Sequence, residues 1–184
     1  MPNWLSRSPD YSRIAGVIYG SIVASARQPT FYAAWGVADT REGRFEMLAL
    51  HVALVMRRLE RAGAAGANLS RRLGETFMTD LDDNMREIGI SDLKVPQKVK
   101  RAAAALFDRH RDYDAALALK SGAATEALMP VVTAAFRDTG HSPSAGTLDA
   151  AALSSYMERL YGGLAVTSDQ DCLAGVLPLP WPPI

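Results

Sequence analysis

The feature that most constrains the fold is an apolar run of twelve residues, 45–56, in which only Glu46 and His51 are polar. At ~1.5 Å per residue, a helix of this length covers about 18 Å, well short of the ~30 Å hydrocarbon core of a bilayer. Arginines bracket the run, with Arg57 and Arg58 on its C-terminal side. Because a helix that is apolar on nearly every side must be surrounded by other elements, the run predicts a buried central helix.

The residues before this run show two further helical patterns. Ser8 and Pro9 are typical of a helix start, and apolar residues recur at helical spacing over 14–22. A short aromatic segment follows and predicts one or two helical turns closed by a glycine. Asp39 is expected to cap the central helix, with Glu42 reaching back to it in a capping box.

The residues after the central run predict four more helices. Residues 63–66 are small and are interpreted as a linker, with Asn68 as the cap of the next helix, whose apolar stripe continues to residue 88. Proline at position 96 is expected to start another helix. The remaining helical patterns cover 126–136, where Pro130 should start or kink the helix, and 147–164.

These patterns predict an all-α fold. We expect a single compact domain, residues 1–184, with six or seven helices around the buried central helix, because no segment alternates with a period of two. The C-terminal helices are expected within 123–165. Residues 173–184 are expected to form an extended Pro-rich C-terminal tail, since four of the last nine residues are prolines.

Composition argues against several classes of protein. Twenty basic side chains balance twenty acidic ones, so no global field draws the chain to nucleic acid or a membrane. With Cys172 as the single cysteine, no intrachain disulfide can form, and a reducing compartment fits. An apolar segment at 14–23 imitates a signal peptide, but Asp10 and Gly16 interrupt that pattern, so export is not expected.

No group of residues predicts a catalytic, cofactor or metal site. His51, His110 and His141 are far apart in sequence and form no ligand pair, and the first two are interpreted as core histidines. The acidic group at 80–87 lacks both the glycine of a calcium loop and a nearby histidine, and is interpreted as a solvated helix face. The chain is therefore not expected to be an enzyme.

The candidate partner-binding residues are basic. Four cations within eight residues form either a solvated surface or a docking patch for an acidic partner, a phosphate backbone or an anionic lipid. Together with the two arginines after the central run, the candidates are Lys94, Lys98, Lys100, Arg101, Arg57 and Arg58.

A series of motifs then points to a known family. In order they are Phe31-Tyr32, Gly36 to Thr40, Gly43 to Glu46, Leu50-His51, Phe77, Asp80 to Asp82, Asn84 to Gly89, Val95-Pro96 and Val99-Lys100. Over roughly Tyr11 to Leu117, and within a family-like core of about 11–120, this series resembles the ubiquinol–cytochrome c chaperone family. The residues that carry the resemblance are Phe31, Tyr32, Gly36, Asp39, Thr40, Gly43, Arg44, Phe45, His51, Asp80, Asn84, Gly89 and Pro96.

The resemblance implies an all-helical chaperone that binds newly made cytochrome b, or another component, during assembly of the cytochrome bc1 complex. It also implies a small partner protein and work at the inner membrane. We expect a cytoplasmic chain that attaches peripherally to the inner face of that membrane and has no cofactor and no sequence-specific nucleic acid as partner.

Two other functions fit the residues. A helical carrier or enzyme for a quinone or another isoprenoid would need a closed apolar pocket beneath Phe31, Tyr32, Trp35 and His51. A nucleic-acid regulator would use the cations at 94–101, although the balanced net charge counts against it.

Overall fold

A computed structural model describes residues 10–120, 122–140 and 147–179, and within these ranges it contains α-helices and no strand. The all-α prediction is confirmed. Six long helices and two short ones follow in the order α1 (Tyr11–Ala26), α2 (Pro29–Ala33), α3 (Arg41–Glu60), α4 (Gly63–Glu87), α5 (Val95–Leu117), α6 (Ala123–Ala135), α7 (Ala150–Val166) and α8 (Asp169–Ala174).

Helix α3 is the centre of the fold, as its apolar sequence predicts. Every residue from Ala49 to Leu59 is buried. The helix contacts α1, α4, α5, α7 and α8, so neighbours cover it on all sides. In the described ranges no helix is both long and apolar enough to cross a membrane.

The start of α3 differs from the predicted capping box. Thr40 is the N-cap, and its Oγ1 accepts a hydrogen bond from the backbone N–H of Gly43 at 3.0 Å. Asp39 instead accepts from Arg44 Nε at 2.6 Å, outside the helix. Gly43 is required here because a Cβ atom would lie 2.0 Å from the carbonyl oxygen of Ala38. The prediction of Asp39 as the cap was wrong because Thr40, one residue nearer the helix, provides the acceptor.

The predicted linker at 63–66 is also wrong. These residues form the first turn of α4, and Asn68 lies within that helix. Their small size allows a tight reversal from α3, since a Cβ on Gly66 would lie 2.0 Å from the carbonyl oxygen of Leu59. The predicted inward stripe of α4 is buried at Leu69, Leu73 and Phe77 and becomes exposed towards its end.

Helix boundaries elsewhere follow local capping residues. Asp10 caps α1, accepting from the N–H of Arg13 at 3.1 Å, whereas the predicted start at Ser8 and Pro9 lies outside the described residues. Asp149 caps α7, so this helix begins three residues later than predicted. Helix α6 begins at Ala123, which places Pro130 inside it rather than at its start.

The segment that leads into the tail contains a helix that the sequence interpretation missed. Ser168 caps α8 through a hydrogen bond from the N–H of Asp171 at 3.1 Å. Cys172 is fully buried, and Gly175 packs against Ile14 of α1. Helix α8 contacts α3 and α4, the turn at Gly175 reaches α1, and the predicted extended region begins only after Ala174. The end of the tail, 180–184, lies outside the described residues.

Candidate partner-binding surfaces

The aromatic residues beneath α2 pack against one another. The ring centroid of Phe31 lies 5.3 Å from that of Trp35, 5.0 Å from that of Tyr156 and 6.0 Å from that of His51. The pairs with Trp35 and Tyr156 have the edge-to-face geometry that aromatic rings prefer. These side chains fill the space in which a quinone pocket was considered, which counts against that alternative.

His51 is a structural residue of this cluster. Its Nδ1 lies 2.7 Å from the carbonyl oxygen of Met47 and therefore donates to it, so Nε2, 2.7 Å from the hydroxyl of Tyr156, accepts from that group. Burial lowers the pKa of His51 to about 4, so the ring is neutral at physiological pH. The prediction of a hydrogen-bonded core histidine is confirmed for His51.

The other two histidines differ from it. His110 is half-buried, and its Nε2 lies 3.4 Å from a carboxylate oxygen of Glu60, which raises its pKa. It is thus a boundary histidine rather than a core one. His141 lies outside the described residues.

An open groove lies where α1, α2 and the start of α3 meet. Its volume is about 610 Å³. The hydroxyl of Tyr32 donates to the carbonyl oxygen of Ala26 at 2.8 Å, and burial raises the pKa of this hydroxyl to about 12, so it stays protonated. The groove, which we call the α2–α3 groove, is lined by Arg27, Pro29, Tyr32, Ala33, Asp39 and Arg44.

The charges in the α2–α3 groove are unevenly compensated. Arg44 pairs with Asp39 at 2.6 Å, and this guanidinium lowers the pKa of the Asp39 carboxyl. Arg27 is exposed and forms no ion pair within the described ranges. The groove therefore offers one uncompensated cation and a half-buried tyrosine, a combination suited to a polar or acidic peptide segment.

The family-motif residues divide into three groups in the structure. Phe31 and His51 pack in the core, Phe45 stacks on Phe77 with centroids 5.7 Å apart, and Thr40 and Gly43 form the α3 cap. Gly36 has a positive φ at the end of the aromatic segment, and Gly89 has one directly after α4. Three others share a surface position, the α2–α3 groove: Tyr32, Asp39 and Arg44.

The remaining motif residues lie along α4 and at the start of α5. Asp80 accepts a hydrogen bond from the hydroxyl of Tyr19 at 2.8 Å, which joins α4 to α1. Asn84 is exposed and donates to the carbonyl oxygen of Asp80 at 2.6 Å, and Pro96 lies in the first turn of α5. The acidic group at 80–87 is therefore partly structural, and the described residues contain no cluster of metal-ligating side chains.

The cations predicted at 94–101 lie together on the protein surface. All four are exposed, and within the described ranges none of them forms an ion pair. Two exposed apolar residues flank them, Leu93 with 91% of its surface accessible and Phe107 with 68%. The sequence interpretation did not single out these two, although no acidic residue occurs from 93 to 107. We call this surface the basic face: Leu93, Lys94, Lys98, Lys100, Arg101 and Phe107.

Arg57 and Arg58, the other two basic candidates, occupy the interior. Their accessible fractions are 4% and 6%. Arg58 donates to the carbonyl oxygens of Leu164 at 3.0 Å and Thr167 at 2.5 Å, and it pairs with Asp169 at 2.7 Å. The structure therefore places Arg58 at the junction of α3, α7 and α8, and not on a partner-binding surface.

Arg57 is held in a similar way. It donates to the backbone carbonyl oxygen of Asp114 at 2.7 Å and also pairs with the carboxylate of that residue. Its guanidinium carbon lies 4.7 Å from the ring centroid of Tyr161, a cation–π contact. Arg57 thus joins α3 to α5 and α7.

Comparisons with known proteins agree with this architecture. The family model described as "Ubiquinol-cytochrome C chaperone" matches residues 33–180, so the match extends through the C-terminal third, beyond the region of the motif series. A crystal structure described as the Cbp3 homolog from Brucella abortus is similar, with a TM-score of 0.77 and 32% identity, covering 92% of this chain and 90% of that chain. A search of curated proteins gives no match. The chain therefore belongs to the ubiquinol–cytochrome c chaperone family.

Proposed function

We propose that this chain binds newly made cytochrome b during assembly of ubiquinol–cytochrome c reductase, and that the α2–α3 groove contacts this client. The family consists of assembly chaperones rather than enzymes, which implies a protein client within the bc1 complex. Cytochrome b as that client, a small partner protein, and action at the inner face of the inner membrane are part of the proposal.

The observation that carries the proposal is the position of the surface-exposed motif residues. Phe31, Gly43 and His51 have evident structural roles, because they fill the core, permit the α3 cap or join α3 to α7. Asp39 and Arg44 are exposed and are not needed to fill the core, yet they lie beside Tyr32 in one groove. A groove that combines motif residues with the unpaired Arg27 is the best-supported site for the client.

The chemistry of the groove suits a polar segment of a membrane protein better than an apolar helix. Arg27 can pair with a carboxylate, and the Asp39–Arg44 pair can exchange its exposed internal hydrogen bond for contacts with a peptide. We therefore propose that loops or termini of the client, which lie outside the hydrocarbon, enter the groove.

The test is client capture from cells that assemble the complex. A tagged chain with Arg27→Glu and Arg44→Glu should recover at least about fivefold less newly made cytochrome b from detergent-solubilised membranes. The reason is that carboxylates of the client segment would then face negative charges in the groove. Mass spectrometry of the captured proteins identifies the client.

A charge-matched control distinguishes an effect of the groove residues on client capture from an effect of the change in net charge. Lys120 and Arg137 are exposed and outside the groove, so the variant Lys120→Glu with Arg137→Glu should capture the client normally. Equal losses in both variants would contradict the assignment of the groove. Recovery of a different bc1 subunit would leave the family role intact and remove cytochrome b as the client.

A further inference from the structure

We infer that the basic face is a docking surface for an anionic lipid leaflet. The inference goes beyond the proposed client contact and shares no residue with the α2–α3 groove. It depends on three observations: unpaired cations, apolar side chains held in water beside them, and the position of the cations on α5.

The cations of the basic face have no evident role in the stability of the fold. Lys94 and Lys98 flank the first turn of α5, where the helix dipole disfavours positive charge. No acidic residue occurs between 93 and 107, so the helix supplies no partner three or four residues away in this stretch. Their uncompensated charge is available to an anionic surface.

The apolar residues indicate which anionic surface this is. Leu93 precedes the cations at the turn into α5. Phe107 follows Lys100 by seven residues, so Phe107 and Lys100 lie on the same side of the helix, with exposed Ala104 between them. Exposed apolar side chains beside Lys and Arg are typical of elements that lie in a membrane interface. A phosphate backbone of RNA would use the cations but would leave Leu93 in water, so lipid is favoured.

Nearby acidic groups cancel only a small part of this charge. Asp82 and Asp92 share Arg86, each at 2.5 Å, so these three residues leave one net negative charge beside the four cations. Asp83 lies over the space between α1 and α4, beside Tyr19. Glu87 follows Asp83 by one helical turn on the same side of α4, so both carboxylates lie on the side of α4 that faces α1.

Vesicle binding by the purified full chain tests the inference without any client. Co-sedimentation with phosphatidylcholine vesicles that contain phosphatidylglycerol should be measurable, should decrease with salt, and should be at least about tenfold weaker with phosphatidylcholine alone. The variant Lys98→Glu with Arg101→Glu should lose at least about tenfold in affinity for the anionic vesicles.

Two further variants keep the test decisive. Lys120→Glu with Arg137→Glu carries the same charge change outside the basic face and should bind the vesicles like the unmodified chain. Leu93→Ser with Phe107→Ser changes no charge and should lose about tenfold by removing apolar burial. Because both residues are largely exposed, these substitutions leave the core intact, which circular dichroism can verify.

Three outcomes would overturn the inference. One is equal vesicle binding by the basic-face and control variants. Another is equal binding of neutral and anionic vesicles. The third is a basic-face reversal that weakens binding to ribosomal RNA while vesicle binding is unchanged, which would assign the surface to nucleic acid. Client capture through the α2–α3 groove can succeed in every one of these cases, so the two proposals fail separately.

Discussion

Two groups of basic residues in this protein have similar sequence contexts, since both lie beside apolar residues, but opposite environments in the fold. Arg57 and Arg58 lie near the C-terminal end of the central helix α3 and are almost entirely buried, whereas Lys98 and Arg101 belong to the basic face and are exposed. In the sequence both groups look like charged residues beside apolar ones. The difference teaches that a cation near a helix end can stabilise the fold or remain available to a partner. Which role it has depends on whether the fold provides hydrogen-bond acceptors for it.

The acceptors of the buried group explain its position. Arg58 reaches two carbonyl oxygens at the C-terminal end of α7, where the helix dipole is negative: that of Leu164, which also accepts from the N–H of Thr167 at 3.2 Å, and that of the C-cap residue Thr167. A guanidinium can satisfy several such oxygens at once because its donors form a planar fork. The cations of the basic face have no comparable carbonyl groups within the described ranges.

Substitution of Arg58 should give the largest effect. Arg58→Met removes two charged hydrogen bonds to carbonyl oxygens, each worth about 1.5–3 kcal/mol, and should lower the free energy of unfolding by about 3–5 kcal/mol. The pair with Asp169 adds little, because that carboxylate is largely exposed. Urea unfolding measures the loss. A loss below about 1 kcal/mol would contradict a structural role for this arginine.

The pH dependence of stability tests whether burial keeps His51, in the interior part of α3, uncharged. Folded His51 binds a proton only near pH 4, whereas the unfolded residue does so near 6.5. Protons therefore favour the unfolded chain, so this contribution to stability is complete above about pH 6.5 and falls by up to about 3 kcal/mol as the pH decreases towards 4.

The matched variant for that experiment is His51→Gln. Its unfolding free energy should lack this component, so its difference from the unmodified chain should shrink between pH 7 and pH 4 by about 3 kcal/mol. Parallel pH profiles for the two proteins would show that folded His51 is not kept neutral.

Removing the ring that contacts buried Arg57 and exposed Arg61 should give a smaller effect. Tyr161 lies under Arg57 and Arg61 and accepts a hydrogen bond from Arg61 at 2.5 Å. Tyr161→Leu should lower the free energy of unfolding by about 1–2 kcal/mol. Tyr161→Phe keeps the ring and should recover about half of this loss. Equal losses for the two variants would assign the whole effect to the hydroxyl.

Substitution in the basic face should give the smallest effect on stability. Lys98→Met removes an exposed charge with no ion pair in the described part of the chain, and the free energy of unfolding should change by less than about 0.5 kcal/mol. The same urea titration measures it. A loss comparable with that of Arg58→Met would abolish the distinction between the two groups.

Part of the fold could be predicted because it depends on local periodicity. The apolar run at 45–56 predicted the buried α3, and the helical spacing of apolar residues over 14–22 predicted α1, in which Ile14, Ile18 and Ile22 are buried. Helix starts were less predictable, because neighbouring residues such as Asp39 and Thr40 can both cap a helix. The α8 helix was missed because a six-residue segment contains too few turns for a periodic signal.

The candidate surfaces could be predicted only in part. The cations at 94–101 were found as a charge cluster, and the family motifs contained Tyr32, Asp39 and Arg44. Arg27 had no signal of its own, since it joins the groove only when α1 turns into α2. Exposure of Leu93 and Phe107 could not be read from the sequence, because apolar residues near a helix stripe are expected to be buried.

The order of residues along the chain is sufficient for the all-α class, the central helix and the family resemblance, because helical period and motif order are properties of neighbouring positions. Contacts between distant segments decided which charges are structural. Arg58 is buried because residues more than a hundred positions away provide its acceptors, and no local pattern contains that information. Burial of a charge depends on the partner that the fold brings to it, so only the tertiary structure could separate the interior arginines from the basic face.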